Sequence, residues 1–203
     1  ENEQVPYVCL LDTGVNNGHP LITPALNDDD QHTVEPAWGV DDGDGHGTSM
    51  AGLTLFGNLT DALDNNDTID IRHRLESVKI LQRDGGNNGD DKHHGYLTVE
   101  AVSRPVISHP DRNRVFALAV TAKDYRDRGR PSAWSAALDS LAADVEDASA
   151  NPKLIIVSAG NTEQNGWINY PDSNTTDGIH DPAQSWNALT VGAYTNLTRI
   201  TEP

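Results

Sequence analysis

The 203 residues carry 14 lysines and arginines against 31 aspartates and glutamates, a formal net charge of −17 at pH 7. That balance argues against nucleic acid or an anionic membrane as partner, because both demand a positive face. The length suits one domain with a substantial core, no apolar stretch approaches the ~20 residues of a membrane span, and the single Cys9 cannot close an internal disulfide.

In chain order, the first apolar run is Pro6 to Leu11, which stops on Asp12-Thr13-Gly14. Cys9 within it reads as a small buried hydrophobe. Asn27-Asp28-Asp29-Asp30 reads as a surface turn, and so do Asp64-Asn65-Asn66-Asp67 and Asp84 to Asp91. A helix is predicted from His46, with apolar positions Met50, Leu53, Leu55 and Phe56. Ser77 to Leu81 reads as the second strand. The next helix places Tyr96, Val99, Val102 and Val106 on one face, and Pro105 should bend or end it. Val115 to Val120 follows as a strand, and Ser132 to Val145 as a helix with Trp134, Leu138, Leu141 and Val145 on one side. Leu154 to Val157 and Ala188 to Val191 complete the strands. Runs this short, apolar at consecutive positions, suit strands buried on both faces. The alternation predicts an α/β fold, a mostly parallel sheet with helices on both faces, in one domain over 1–203.

Asp12 is a candidate catalytic residue. In open α/β sheets, sites form at the carboxyl ends of strands, and an aspartate there can fix the tautomer of a histidine and stabilise its imidazolium. The plainer reading is an aspartate capping its own turn. His46 is the matching candidate, set between Gly45 and Gly47 at a helix start and suited to general acid–base work. The remaining histidines, His19, His32, His73, His93, His94, His109 and His180, read as surface or locally bonded. No histidine pair has zinc-ligand spacing, so no catalytic metal and no cofactor is expected. The acidic groups Asp41, Asp42 and Asp44, and Asp28 to Asp30, could hold calcium in an oxygen-rich loop, although solvated acidic loops suit them better.

Two rivals arise from the same residues. Apolar-apolar-Asp-Thr-Gly is also the signature of small, all-β, dimeric aspartic proteases, which the helical faces here oppose. Gly47-Thr48-Ser49-Met50-Ala51 spells a serine-nucleophile motif. A serine three places after the histidine on one helix leaves no cleft between them, so Ser49 is expected to face the packing.

With Leu11-Asp12-Thr13-Gly14, Asp44-Gly45-His46-Gly47-Thr48, Val157-Ser158-Ala159-Gly160-Asn161 and Ala188-Leu189-Thr190-Val191-Gly192 in this order, the chain resembles the subtilisin-like serine peptidases, or subtilases, from about Val5 to about Asn196. The resemblance implies a serine endopeptidase in which Asp12 orients, His46 shuttles the proton and Asn161 donates to the oxyanion. By itself Asn161 could equally be an asparagine in left-handed backbone at a tight turn. The family's nucleophile follows the strand ending at Gly192, so the resemblance implies a C-terminally truncated catalytic domain, inactive alone, whose serine lies beyond residue 203. Glu1 in place of Met suggests trimming at the front as well. The resemblance further implies that peptide binds as an added strand beside about Gly85 to Gly95 and Ala119 to Thr121, where Ala119-Val120-Thr121-Ala122 departs from the family's usual Ser-Leu-Gly-Gly. It also implies a cis bond at Tyr170-Pro171, a cytoplasmic setting and, in one branch, an AAA-type ATPase partner. The alternative from another class is a binding or regulatory module that kept the fold and lost catalysis.

Overall fold

The computed structural model describes residues 5–64, 68–82, 94–122, 130–145, 151–162 and 164–194. Six strands form one sheet: β1 (Tyr7–Asp12), β2 (Gln31–Thr33), β3 (Arg74–Lys79), β4 (Arg114–Leu118), β5 (Leu154–Ser158) and β6 (Leu189–Val191). Their order is β2-β3-β1-β4-β5-β6, and every ladder in it is parallel. The helices are α1 (His46–Phe56), α2 (Leu59–Asp64), α3 (His94–Ser108), α4 (Ala133–Ala143) and the short α5 (Gln164–Ile168) and α6 (Ser173–Thr176). This is the α/β architecture that the alternation predicts, and it removes the all-β aspartic-protease reading. Among the described residues no helix is long and apolar enough to cross a membrane.

Period-two alternation sends the two sides of each strand into different cores. Cys9, Leu11, Val78, Phe116, Leu118, Ile155 and Val157 pack beneath α3 and α4, against Leu97, Ala101, Val102, Trp134 and Leu138. Leu10 and Leu75 face the other way, into a smaller core with Val15, Ile22, Leu26, Ala51 and Leu55. Cys9 is fully buried, as expected, and burial pushes its thiol pKa up. Among the described residues, helices therefore lie on both faces but do not cover the whole sheet. Leu154, Leu189 and Val191 are each about half exposed, so the expectation of strands buried on both faces fails at β5 and β6.

Several element details differ from the sequence expectations for physical reasons. β3 starts at Arg74 rather than Ser77, since Arg74 bonds the Pro24 carbonyl and Asn27 Oδ1 and Glu76 pairs with Arg114, so neither polar residue interrupts the ladder. β2 went unpredicted because Gln31-His32-Thr33 has no apolar signal. α3 buries Leu97, Thr98, Ala101, Val102 and Pro105, while Tyr96 and Val99 are exposed. The small side chains mark the true interface: a Cβ on Gly95 would lie 3.1 Å from that of Ala137 on α4. Thr98 also accepts the Trp134 indole N–H at 2.8 Å. Pro105 stays inside α3 without ending it. α4 opens on a Ser132–Ser135 capping box and stops at Asp144 in left-handed backbone, which leaves Val145 outside and exposed. His94, read from the sequence as surface or locally bonded, opens α3 and stacks on Trp134.

The turn at Asn27–Asp30 is not wholly a surface feature. Asp30 is 1 % exposed and pairs with Arg112 at 2.5 Å. Arg112 also reaches Glu76 at 2.7 Å, and Arg114 binds the same buried carboxylate at 2.6 Å. His109 comes close enough to Asp30 and Glu76 to complete a ligand-like group, but the guanidinium of Arg112 already lies on both carboxylates. The predicted turns at 65–67 and 84–91 fall outside the described residues.

Candidate active site

Asp12 ends β1, the third strand of the sheet order, with β3 on one side and β4 on the other. From β1 the chain first visits β2 and β3 on one side and then crosses to β4 on the other, so the strand order reverses at β1, the place where open α/β sheets form their sites at the strands' carboxyl ends. His46 is the first residue of α1, which packs against β1. The two meet there: His46 Nδ1 lies 2.7 Å from Asp12 Oδ1. The Asp12 side chain is 2 % exposed and that of His46 is 47 % exposed. The buried carboxylate thus holds one ring nitrogen and leaves Nε2 on the open side.

The flanking glycines explain how a strand end and a helix start come so close. A Cβ on Gly47 would sit 2.1 Å from the Gly14 carbonyl oxygen and 3.3 Å from Asp12 Cβ. Gly14 itself has φ +99°, with the Val40 carbonyl oxygen 2.4 Å from where its Cβ would be. Neither position has room for a side chain, and Gly14 also needs the left-handed backbone that glycine tolerates.

Thr13 and Asp42 complete the support, and neither role was read from the sequence. The Thr13 hydroxyl lies 2.9 Å from Asp42 Oδ1 and 3.2 Å from Asp12 Oδ1, and it accepts the Gly47 N–H at 3.0 Å. Asp42, grouped above with calcium candidates, is 7 % exposed and spends its oxygens on protein donors. It accepts the N–H groups of Asp44 (3.0 Å), Gly45 (2.8 Å) and Thr48 (2.8 Å). Lys79, 6 % exposed, ties the preceding loop down through the Asp41 carbonyl at 2.6 Å. The available signal was an aspartate three places before a glycine N-cap, a spacing with meaning only once the helix start is known.

Asn161 lies beyond the carboxyl end of β5, on the same edge of the sheet as Asp12. Leu11 is level with Leu118, and Leu118 with Val157, so β1 and β5 are two strand spacings apart, about 10 Å. The left-handed residue of this turn is Gly160, at φ +111°, and Asn161 is not among the positive-φ residues. That sets aside the tight-turn reading of Asn161. A Cβ on Gly160 would fall 2.3 Å from the His180 ring, and His180 N–H donates to the Ala159 carbonyl at 2.9 Å. Asn161 is exposed.

Ser49 is exposed as well, contrary to the expectation that it faces the packing. Its hydroxyl donates to the Gly45 carbonyl one turn back at 2.8 Å, a local bond that many helical serines make. Of the two segments expected to flank a peptide, 83–93 lies outside the described residues and Gly95 belongs to α3. Ala119 to Thr121 continues β4 past the sheet's end, and Ala122 bridges Asp181. Tyr170-Pro171 is cis, and so is Asp181-Pro182, which was not anticipated.

A family model described as the subtilase family matches residues 4–202. The chain belongs to that family. Among curated proteins no match was found. The crystal structure of a lanthipeptide protease is similar at 20 % identity and a TM-score of 0.56, over 93 % of this chain and 48 % of that one. The epidermin leader peptide processing serine protease of Staphylococcus aureus is similar at 18 % identity and a TM-score of 0.54, over 93 % and 46 %. The Aeromonas sobria serine protease, in complex with its chaperone, matches at 20 % and 0.52, over 78 % and 25 %. At such identities these neighbours speak for the fold alone. The chain spans about half the length of the first solved structure it matches, or less.

Proposed function

We propose that this member of the subtilase family supplies the orienting carboxylate, the general acid–base histidine and one oxyanion donor of a serine endopeptidase. Asp12 orients and stabilises His46, and His46 takes the proton of a serine hydroxyl and returns it to the leaving amine. The serine comes from the part of the relatives' length that these 203 residues do not span. The observation that carries the reading is the 2.7 Å contact between a buried Asp12 and a half-exposed His46. A histidine held through Nδ1 and half exposed is arranged to receive a proton at its other ring nitrogen.

Asn161 is the proposed side-chain donor to the tetrahedral oxyanion. Its place on the carboxyl edge of the sheet, in a turn fixed by Gly160 and His180, supports this role. Removing such a donor typically costs ~3 kcal/mol of barrier. The substrate is a peptide or protein bound alongside Ala119 to Thr121.

Peptide turnover by the full-length protein tests the reading. Asp12→Asn should lower kcat by about 10⁴-fold with the fold intact, and His46→Ala should do at least as much. Hydrolysis unaffected by either change would remove both residues from the mechanism, and a wild-type protein with no turnover on any peptide would favour the binding module instead.

A further inference from the structure

We propose that Asp42 is a positioning residue for His46, fixing the imidazole through Thr13 and through the start of α1. The inference rests on the reading of Asp12 as the orienting carboxylate and of His46 as the general base. It concerns what holds that pair in register.

The N-cap of α1 is Gly45, with φ +97° and no side chain to cap the helix. The first turn of any α-helix leaves backbone N–H groups without intrahelical acceptors. Here the acceptors come from elsewhere in the chain. Thr13 Oγ1 takes the Gly47 N–H, and Asp42 Oδ2 takes that of Thr48. Asp42 Oδ1 gathers Asp44 N–H, Gly45 N–H and the Thr13 hydroxyl. The residue bearing the imidazole is therefore clamped on both sides, at Gly45 and at Gly47 and Thr48. Asp42 is held in turn by Asn16, whose carboxamide accepts the Asp42 N–H and donates to its carbonyl, both at 3.0 Å.

The Thr13 hydroxyl has one proton and two carboxylates within reach. The shorter contact is to Asp42, 2.9 Å against 3.2 Å to Asp12. Asp12 Oδ1 already receives the Thr13 N–H at 2.8 Å besides His46 Nδ1. By engaging the hydroxyl, Asp42 leaves that oxygen to the imidazole. Burial alone would raise the Asp42 pKa, but hydrogen bonds from Thr48, Gly45 and Thr13 outweigh it and hold the carboxyl below its ordinary value. The group therefore stays ionised at neutral pH, able to accept at both oxygens. An asparagine could not do so, because its NH₂ would meet an N–H or hydroxyl donor on either side.

The test uses the full-length protein and an internally quenched peptide that the wild type cleaves. Asp42→Asn should reduce kcat by about 10²-fold, the scale of a 1 Å misplacement, with KM unchanged. In protein carrying ¹⁵N-labelled histidine, the ring nitrogens of His46 should lose the fixed Nδ1–H signature of the wild type. Thr13→Val, which keeps the shape but not the hydroxyl, should lower kcat in the same manner, and Thr13→Ser should restore most of it. This pair carries the test should Asp42→Asn fail to fold. Wild-type kcat in Asp42→Asn, or in Thr13→Val, overturns the inference. Asp12→Asn separates the two layers: if it too keeps full turnover, the acid–base reading fails, whereas its loss alone sinks only the role of Asp42.

Discussion

At Gly47 the molecule has no space for a methyl group, and that single fact places the site. The glycine lets the first turn of α1 lie on the Gly14 carbonyl, which brings His46 to Asp12. Gly47→Ala should cost about 1–3 kcal/mol, as overpacking against backbone does, and should push the imidazole away from Asp12. Denaturant unfolding reads the first effect and peptide turnover the second; a variant of native stability and activity would show that the contact yields freely. Asp12 and His46 were legible in the sequence because their chemistry and glycine neighbours are written side by side. Asp42 was not, since its meaning lies in three backbone N–H groups and one hydroxyl that only folding gathers around it. Ser49 was misjudged in its surroundings for a related reason. Its hydroxyl is satisfied by its own helix, so it needs no packing partner.

Among the elements, the central strands were readable because their apolar runs are continuous, and β2 was not because its pairing leaves no apolar trace. What secures the β2 side is charge. Glu76 on β3 is 0 % exposed and receives both Arg112 and Arg114, while Arg112 continues to Asp30 before β2 and stacks over Tyr7 at 4.1 Å. Arg114 adds the Pro105 and His109 carbonyls at the end of α3, at 2.9 and 2.6 Å. One buried carboxylate thus joins β3, β4, α3 and the turn before β2. Glu76→Gln should destabilise the protein by about 3–5 kcal/mol, because it leaves buried guanidinium charge without its partner. Chemical denaturation measures this, and a change below about 1 kcal/mol would mean that the network is merely solvated charge. The face of α3 was misread since large apolar residues were counted as the buried ones. Tyr96 and Val99 lie outward, and the helix meets α4 at Gly95, close against Ala137, and at Thr98, which accepts the Trp134 indole N–H.

Across the whole molecule, a parallel sheet gathers three otherwise distant segments at its carboxyl edge: Asp12 at the end of β1, His46 at the start of α1 and Asn161 after β5. The alternation of runs in the sequence foretold that sheet, and the family resemblance singled out the three residues. In the proposed mechanism these residues serve a serine that is not Ser49. Labelling the full-length protein with a fluorophosphonate, which reacts only with an activated serine, and mapping the adduct by mass spectrometry tests it directly. The adduct should fall on a serine outside residues 1–203, persist in Ser49→Ala and vanish in His46→Ala. An adduct on Ser49, or labelling indifferent to His46, would contradict it.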